Sequence, residues 1–240
     1  MIRPIGRSIL GPDNSIWSGW SATYGRYGGG VSRINTVKNE VSFWYDMIPD
    51  QAYCSLAAGK AHIYATTNGT TFGLNAKEDA FFLLKLDLKG NIVWKEQFAV
   101  GQFPAQLAVT CGYLFISLRD FNDGKRYIRV YQEETMELND TLVFGIMDTG
   151  HWENIIDCIG SYDENTLLLF AGKKAILMDA CSFEIVNSHE IPTPVEVYTM
   201  TSDKNIYISK GAELFRFHFG MSKFKKTNEM CPAEECSGCR

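Results

Sequence analysis

A strand–turn–strand unit recurs along this chain at intervals of about 40–50 residues, and this repeat restricts the fold more than any other feature. The clearest copy is FLLKLDLKGNIVWKEQF, residues 82–98, where apolar and polar side chains alternate on both sides of Lys89-Gly90-Asn91. Such alternation is typical of strands with one buried face, and it does not fit the three- and four-residue spacing of an amphipathic helix. Further copies occupy residues 31–45, 127–144, 175–191 and 212–226.

Two more strand-like segments precede each hairpin. The nearer ones, which end in turn residues, are 15–25, 61–69, 112–120, 165–173 and 204–211. The farther ones are 6–10, 51–58, 106–111, 154–159 and 196–201. Four strands per unit is the arithmetic of a propeller blade. The sequence therefore predicts an all-β fold, a β-propeller of about five four-stranded blades, either as a closed ring or as part of a larger one.

The 82–98 copy, with Asp before the turn, Gly in it and Trp after it, resembles the repeat unit of pyrroloquinoline-quinone-type propellers, and LMDACSFEIVNS (177–188) is similar to YVTN-type and WD-like blades. The resemblance implies the propeller fold. In physical terms, Asp87 can accept hydrogen bonds from backbone NH groups of the turn, and Gly90 supplies a positive φ. Trp94 is expected to pack in the interface with the next blade, and Trp44 is expected to have this role in the first copy.

Length and composition favour one folded domain. At 240 residues the chain can bury one sizeable core, so we predict a propeller domain over residues 1–227 and a cysteine-containing tail over 228–240. A net charge of −5, with its main basic run at residues 223–226, argues against a nucleic-acid partner. No apolar stretch approaches the roughly 20 residues needed to cross a bilayer, and the N-terminus lacks an apolar signal core. We therefore predict no membrane span and a cytoplasmic location.

The cysteines fall into two groups. Cys54, Cys111, Cys158 and Cys181 each stand singly in apolar strand-like segments, and we expect them to be small core residues. Cys231, Cys236 and Cys239 instead follow a C-x4-C-x2-C spacing near the C-terminus. Three thiolates with a distant fourth ligand could hold a structural zinc ion, and the alternative is a cysteine-bearing terminus without metal. No other cofactor is predicted.

Function in a propeller usually lies at one mouth of the central channel. That mouth is formed by the loop entering the first strand of each blade and by the loop joining the second and third strands. Polar and aromatic residues at these positions are the predicted ligand- or partner-binding residues: Tyr45, Asp46, Gln51, Gln106, His151, Trp152, Asn154 and Glu196.

These residues favour a non-catalytic binding module that presents rigid loops to a protein or peptide partner. One alternative is a lyase or glycan-processing hydrolase, in which His151 would work with an acidic neighbour from Asp148, Glu153 and Glu196. Another is a lectin-like sugar binder. The chain has no phosphate-cradling glycine loop, nucleophile elbow or paired-histidine metal motif.

Overall fold

The described residues of this computed structural model are 2–69, 74, 80–146, 158–192, 194–195, 197–211, 213–220 and 225–226. They form five four-stranded antiparallel sheets, arranged as a five-bladed β-propeller, and no helix occurs among them. In each sheet the strands lie side by side in chain order, so each blade is an up-and-down meander. The predicted fold class is confirmed.

The strand bounds follow the predicted repeat. Blade 1 consists of β1 (Ile2–Leu10), β2 (Ile16–Ala22), β3 (Gly29–Asn35) and β4 (Glu40–Tyr45). Blade 2 consists of β5 (Ala52–Ala58), β6 (Ile63–Asn68), β7 (Phe82–Leu86) and β8 (Ile92–Gln97). Blade 3 consists of β9 (Gln102–Thr110), β10 (Tyr113–Asp120), β11 (Lys125–Gln132) and β12 (Leu138–Ile146). Blade 4 consists of β13 (Cys158–Ser161), β14 (Thr166–Ala171), β15 (Lys174–Asp179) and β16 (Ile185–Glu190). Blade 5 consists of β17 (Val197–Met200), β18 (Ile206–Lys210), β19 (Glu213–Phe217) and β20 (Lys225–Lys226).

Apolar clusters between neighbouring blades hold the ring together. Each cluster joins the facing sheets of two successive blades, and burial of each large apolar side chain contributes about 1.5–3 kcal/mol. Representative members are Trp17 and Leu84 between blades 1 and 2, Leu83 and Ile116 between blades 2 and 3, Phe115 and Leu167 between blades 3 and 4, and Phe170 and Ile208 between blades 4 and 5.

The turn of the 82–98 hairpin has the predicted structure. Asp87 Oδ1 accepts hydrogen bonds from the backbone NH groups of Lys89 (2.9 Å) and Asn91 (2.8 Å). Desolvation acts to raise the pKa of Asp87, but the hydrogen bonds from Asn91 and Lys89 outweigh it and hold this pKa below its ordinary value. Gly90 has a φ of 83°. Trp94 packs between blades 2 and 3, with its ring 6.3 Å edge-on from that of Tyr131.

Trp44 takes the corresponding place in blade 1, where it stacks on Trp17 at 5.4 Å between ring centroids. Its other neighbour is the glycine of the next blade, because a Cβ on Gly90 would lie 2.1 Å from Trp44 Cε2. Gly90 is therefore required by its backbone conformation and also by its contact with an aromatic ring.

Replacing Gly90 with alanine is expected to lower the free energy of unfolding by about 2–4 kcal/mol, because positive φ and overpacking each cost about 1–3 kcal/mol. Urea unfolding followed by tryptophan fluorescence measures this change. Gly124→Ala is the matched control, since Gly124 has a φ of 69° but nothing within 4 Å of an added Cβ. Equal losses in the two variants would show that the Trp44 contact contributes nothing.

Two cysteines depart from the prediction. Cys111 and Cys181 form a disulfide with a Cα–Cα distance of 5.9 Å and a sequence separation of 70 residues. Cys111 follows β9 in a turn with a φ of 52°, and Cys181 lies in the turn between β15 and β16. The expectation that both are small core residues within strands is wrong, because both lie in turns where blades 3 and 4 approach each other. Cys54 in β5 is a free, half-buried thiol.

Over the part of the chain that the structure describes, no helix is long and apolar enough to cross a bilayer.

Candidate functional site

The two ends of the propeller differ. We call one the turn end: it carries the connections between first and second strands and between third and fourth strands. The other is the loop end, which carries the connections between second and third strands and between blades. The two longest connections, residues 69–81 and 147–157, belong to the loop end, and much of both lies outside the described residues.

The turn end is closed by short turns that aspartate side chains hold in place. Asp179 Oδ1 accepts hydrogen bonds from the backbone NH groups of Cys181 (2.9 Å) and Ser182 (2.8 Å). These hydrogen bonds lower the pKa of Asp179, and the one from Ser182 has the largest effect. Asp163 Oδ1 accepts one from Asn165 N at 3.0 Å. Because these carboxylates accept hydrogen bonds from backbone NH groups of their own turns, their role is to stabilise the turns.

The loop end carries large exposed side chains. Tyr24 is 79 % exposed in the β2–β3 loop, and Phe121 is 53 % exposed in the β10–β11 turn. Tyr45, at the end of β4, is 53 % exposed, and Val100 precedes β9. Tyr45 was predicted as a contact residue from its position. The exposure of Tyr24 and Phe121 was missed, although both lie in glycine-containing loops that enter the same end.

The connection at residues 46–51 is a rigid support for Tyr45 and Asp46. Asp46 N donates to Gly29 O at 2.7 Å, and Asp50 N donates to Asp46 Oδ1 at 2.9 Å. Ile48 N donates to the hydroxyl of Tyr53 at 2.9 Å. Burial raises the pKa of Tyr53, so this hydroxyl stays protonated while it accepts that bond. Tyr45 and Asp46 thus need little ordering before they contact a ligand.

Gln51, a predicted binding residue, is buried and hydrogen-bonded within the protein. Its side chain is 4 % exposed, and its Oε1 accepts a hydrogen bond from Thr67 Oγ1 at 2.8 Å. Thr67 Oγ1 in turn accepts one from Phe82 N at 3.0 Å. Gln51 therefore joins β5, β6 and β7 at the loop end, and a ligand would reach it only through the adjoining pocket of about 380 Å³, lined by Ile48, Pro49, Asp50, Gln51, Gly69, Phe82 and Lys95.

A cavity of about 350 Å³ lies on the propeller axis, and its wall includes residues from the first strands of all five blades. The wall is made mostly of small and apolar side chains. The polar or titratable lining residues are Arg7, Cys54, Ser55, Gln106, Ser161 and Tyr198. Burial raises the pKa of the Cys54 thiol to about 12, so this thiol is a poor nucleophile at neutral pH.

Gln106 lies in this cavity wall and not at the mouth. The prediction that Gln106 opens its strand is corrected, because β9 already begins at Gln102. Gln106 Oε1 accepts a hydrogen bond from Ile159 N at 3.1 Å, which ties blade 3 to blade 4. Gln106 lies at a register shift in the β9–β10 pair between Ile116 and Leu118, which the apolar pattern alone does not show.

The remaining predicted site residues lie outside the described residues: Asp148, His151, Trp152, Glu153, Asn154, Glu196, Cys231, Cys236 and Cys239. The boundary between residues 227 and 228 lies there too. Their predicted roles stay predictions. Within the described ranges, no group of three or more His, Cys, Asp or Glu side chains is placed to hold a metal ion.

Fold and site together define the chain as a β-propeller with a closed turn end and an exposed loop end. No known family profile matches the sequence, and no curated protein matches it. Among solved structures, the chain is similar to a gluconolactonase from Xanthomonas campestris, with a TM-score of 0.60 and 12 % identity over 87 % of this chain and 70 % of that chain.

It is also similar to the Cps50 (Swd1) β-propeller domain of Myceliophteria thermophila, with a TM-score of 0.57 and 13 % identity over 90 % of this chain and 68 % of that one. A third similar chain belongs to a mitotic checkpoint complex, with a TM-score of 0.50 and 10 % identity over 94 % of this chain and 79 % of that one. At these identities the likeness establishes the fold alone, and it does not single out the pyrroloquinoline-quinone-type or YVTN-type repeat.

Proposed function

We propose that this protein is a non-catalytic binding module that presents its loop end to a protein or peptide partner. The observation that carries the proposal is the exposure of Tyr24, Tyr45 and Phe121 at that end, while the turns that contain Asp163 and Asp179 at the turn end are short and internally bonded. Aromatic side chains are enriched among the residues that supply most binding energy at protein interfaces, because they bury a large area and lose little conformational entropy.

The rigidity of the loop end supports the same proposal. Four hydrogen bonds hold the 46–51 connection, including one from Gln51 N to Ile48 O, and the ring of blades holds the loops at fixed separations. Binding then costs little ordering of the module itself. The similar structures include both a chain of an assembly and an enzyme, so the fold alone does not choose between binding and catalysis.

The test is quantitative affinity capture from the source cell with the intact chain and with a Tyr24→Ser/Phe121→Ser variant. Truncation of an interface aromatic costs about 2 kcal/mol or more, so the variant should retain a stoichiometric partner at least about tenfold less. The matched control is Val93→Ser/Val186→Ser, which alters two side chains of similar exposure (51 % and 59 %) on outermost strands. Equal capture by both variants, or no stoichiometric partner at all, would contradict the proposal.

A further inference from the structure

The interface between blades 5 and 1 differs from the other four. Here the first strands of the two blades are in contact: the guanidinium of Arg7 lies 3.7 Å from the centroid of the Tyr198 ring and also donates a hydrogen bond to Tyr198 O. Apolar clusters fill each of the other interfaces, but between blades 5 and 1 the described residues form no such cluster. Among the described residues, the contact between blades 5 and 1 therefore lies near the axis, and no apolar cluster fills the interface farther out.

Blade 1 turns an apolar sheet face towards this interface. Strand register places Ile16 opposite Ile34, and Ile34 opposite Val41, so the three side chains share one face. Phe43 lies on the same face, opposite Ser32. Their exposed fractions are 37 % for Ile16 and Ile34, 72 % for Val41 and 40 % for Phe43. The opposite face of the same sheet carries Trp17, which is fully buried against blade 2.

Blade 5 presents a matching face. Val197 pairs with Ser209, and Ser209 pairs with Leu214, which places the three side chains in one row. Val197 is 58 % exposed and Leu214 is 43 % exposed. Arg216 lies on the same face, and its Nε is buried without a hydrogen-bond partner. A buried unpaired donor on a cation is costly, so this face favours an acidic or carbonyl group opposite Arg216.

The size of the two faces indicates what fits between them. In blade 1 the strands have 6–9 residues, and at about 3.3 Å per residue with strands about 4.8 Å apart they give a face on the order of 400 Å². The strands of blade 5 have 2–5 residues, so its face is roughly half as large. A stable interface buries about 800 Å² per partner. One face alone is too small for this, so an occupant that contacts both faces is favoured over one that contacts a single face.

We propose that an extended β-segment of a partner protein inserts between blades 5 and 1, with apolar side chains on both of its faces and an acidic side chain opposite Arg216. This inference rests on the proposed binding function. It gives this protein a second contact region for its partner, in addition to the loop end, and we call this region the seam. The seam is defined by Ile34, Val41, Phe43, Val197, Leu214 and Arg216.

The experiment selects peptides from a random 16-residue library displayed on phage, with the intact chain as bait, and measures the affinity of the enriched peptides as synthetic compounds. Enriched peptides should be apolar at consecutive positions and contain Asp or Glu. Phe43→Ser/Leu214→Ser should weaken their binding at least tenfold, and Val93→Ser/Val186→Ser should leave it unchanged. Arg216→Gln should weaken a peptide at least fivefold more than it weakens the same peptide with Asp or Glu replaced by Asn or Gln.

Different outcomes separate the two proposals. If the peptides lose binding only to the Tyr24→Ser/Phe121→Ser variant, the loop end binds peptides and the seam proposal is overturned. If no peptide is enriched, the seam proposal is also overturned, while affinity capture still decides the binding function. A concentration-dependent dimer in analytical ultracentrifugation that Phe43→Ser abolishes would show that a second copy occupies the seam, which also overturns the proposed partner segment.

Discussion

Reduction of the Cys111–Cys181 disulfide is expected to lower the free energy of unfolding by about 3–4 kcal/mol. The bond closes a loop of 70 residues, and in the chain-entropy description such a loop strongly restricts the unfolded state. The bond also joins the turns of blades 3 and 4, where the ring of Phe183 packs edge-on against that of Tyr113 at 5.5 Å. Urea unfolding with and without reductant measures the difference.

The control for this prediction is the Cys111→Ser/Cys181→Ser variant. Its stability should match that of the reduced wild-type chain and should not respond to reductant, although the other cysteines remain. A variant as stable as the oxidised chain would show that the disulfide contributes nothing. Disulfides persist mainly in oxidising compartments, so an intact bond in protein isolated from its source cell would favour such a compartment over the predicted cytoplasm.

Replacing Trp17 with alanine is expected to cost about 3–5 kcal/mol of unfolding free energy. Trp17 is fully buried and stacks on Trp44 between blades 1 and 2. Removal of a buried tryptophan loses its transfer free energy and leaves a cavity that rigid neighbouring sheets cannot fill. Thermal and urea unfolding give the magnitude.

Trp20 provides the matched control within the same strand. It lies three residues further along β2, on the face that turns towards blade 5, and its Nε1 donates to Ser32 Oγ at 2.8 Å. Because no cluster of described apolar residues lies opposite this face, Trp20→Ala should cost only about 1–2 kcal/mol. A loss as large as that of Trp17→Ala would show that the interface between blades 5 and 1 is filled in the isolated chain, and it would count against an inserted partner segment.

Local pattern was sufficient for much of the fold. Alternation with a period of two identified the third and fourth strands of every blade, because successive side chains of a strand point to opposite faces of its sheet. The roles of Asp87, Gly90 and Trp94 were also predictable. Asp87 and Gly90 depend on neighbours within a few residues, and Trp94 packs in an interface between successive blades, which recurs around the ring.

The site was less predictable. Tyr45 and Asp46 were recognised from the position of their loop, but the burial of Gln51 and the mid-strand place of Gln106 depend on strand ends and on a register shift. Neither strand ends nor a register shift can be read from the apolar pattern of the sequence. Sequence position therefore placed Tyr45 and Asp46 at one end of the propeller, but it did not show that Gln51 is buried there.

What the sequence by itself determined is the repeating strand pattern, a count of about five units and the chemistry of single turns, since these follow from contacts between residues close along the chain. Tertiary structure decided the arrangement as five blades, the pairing of Cys111 with Cys181, the contents of the central cavity and, among the described residues, the lack of an apolar cluster between blades 5 and 1. These features join residues that are distant along the chain, and their geometry depends on how the blades close around the axis, which no local pattern encodes.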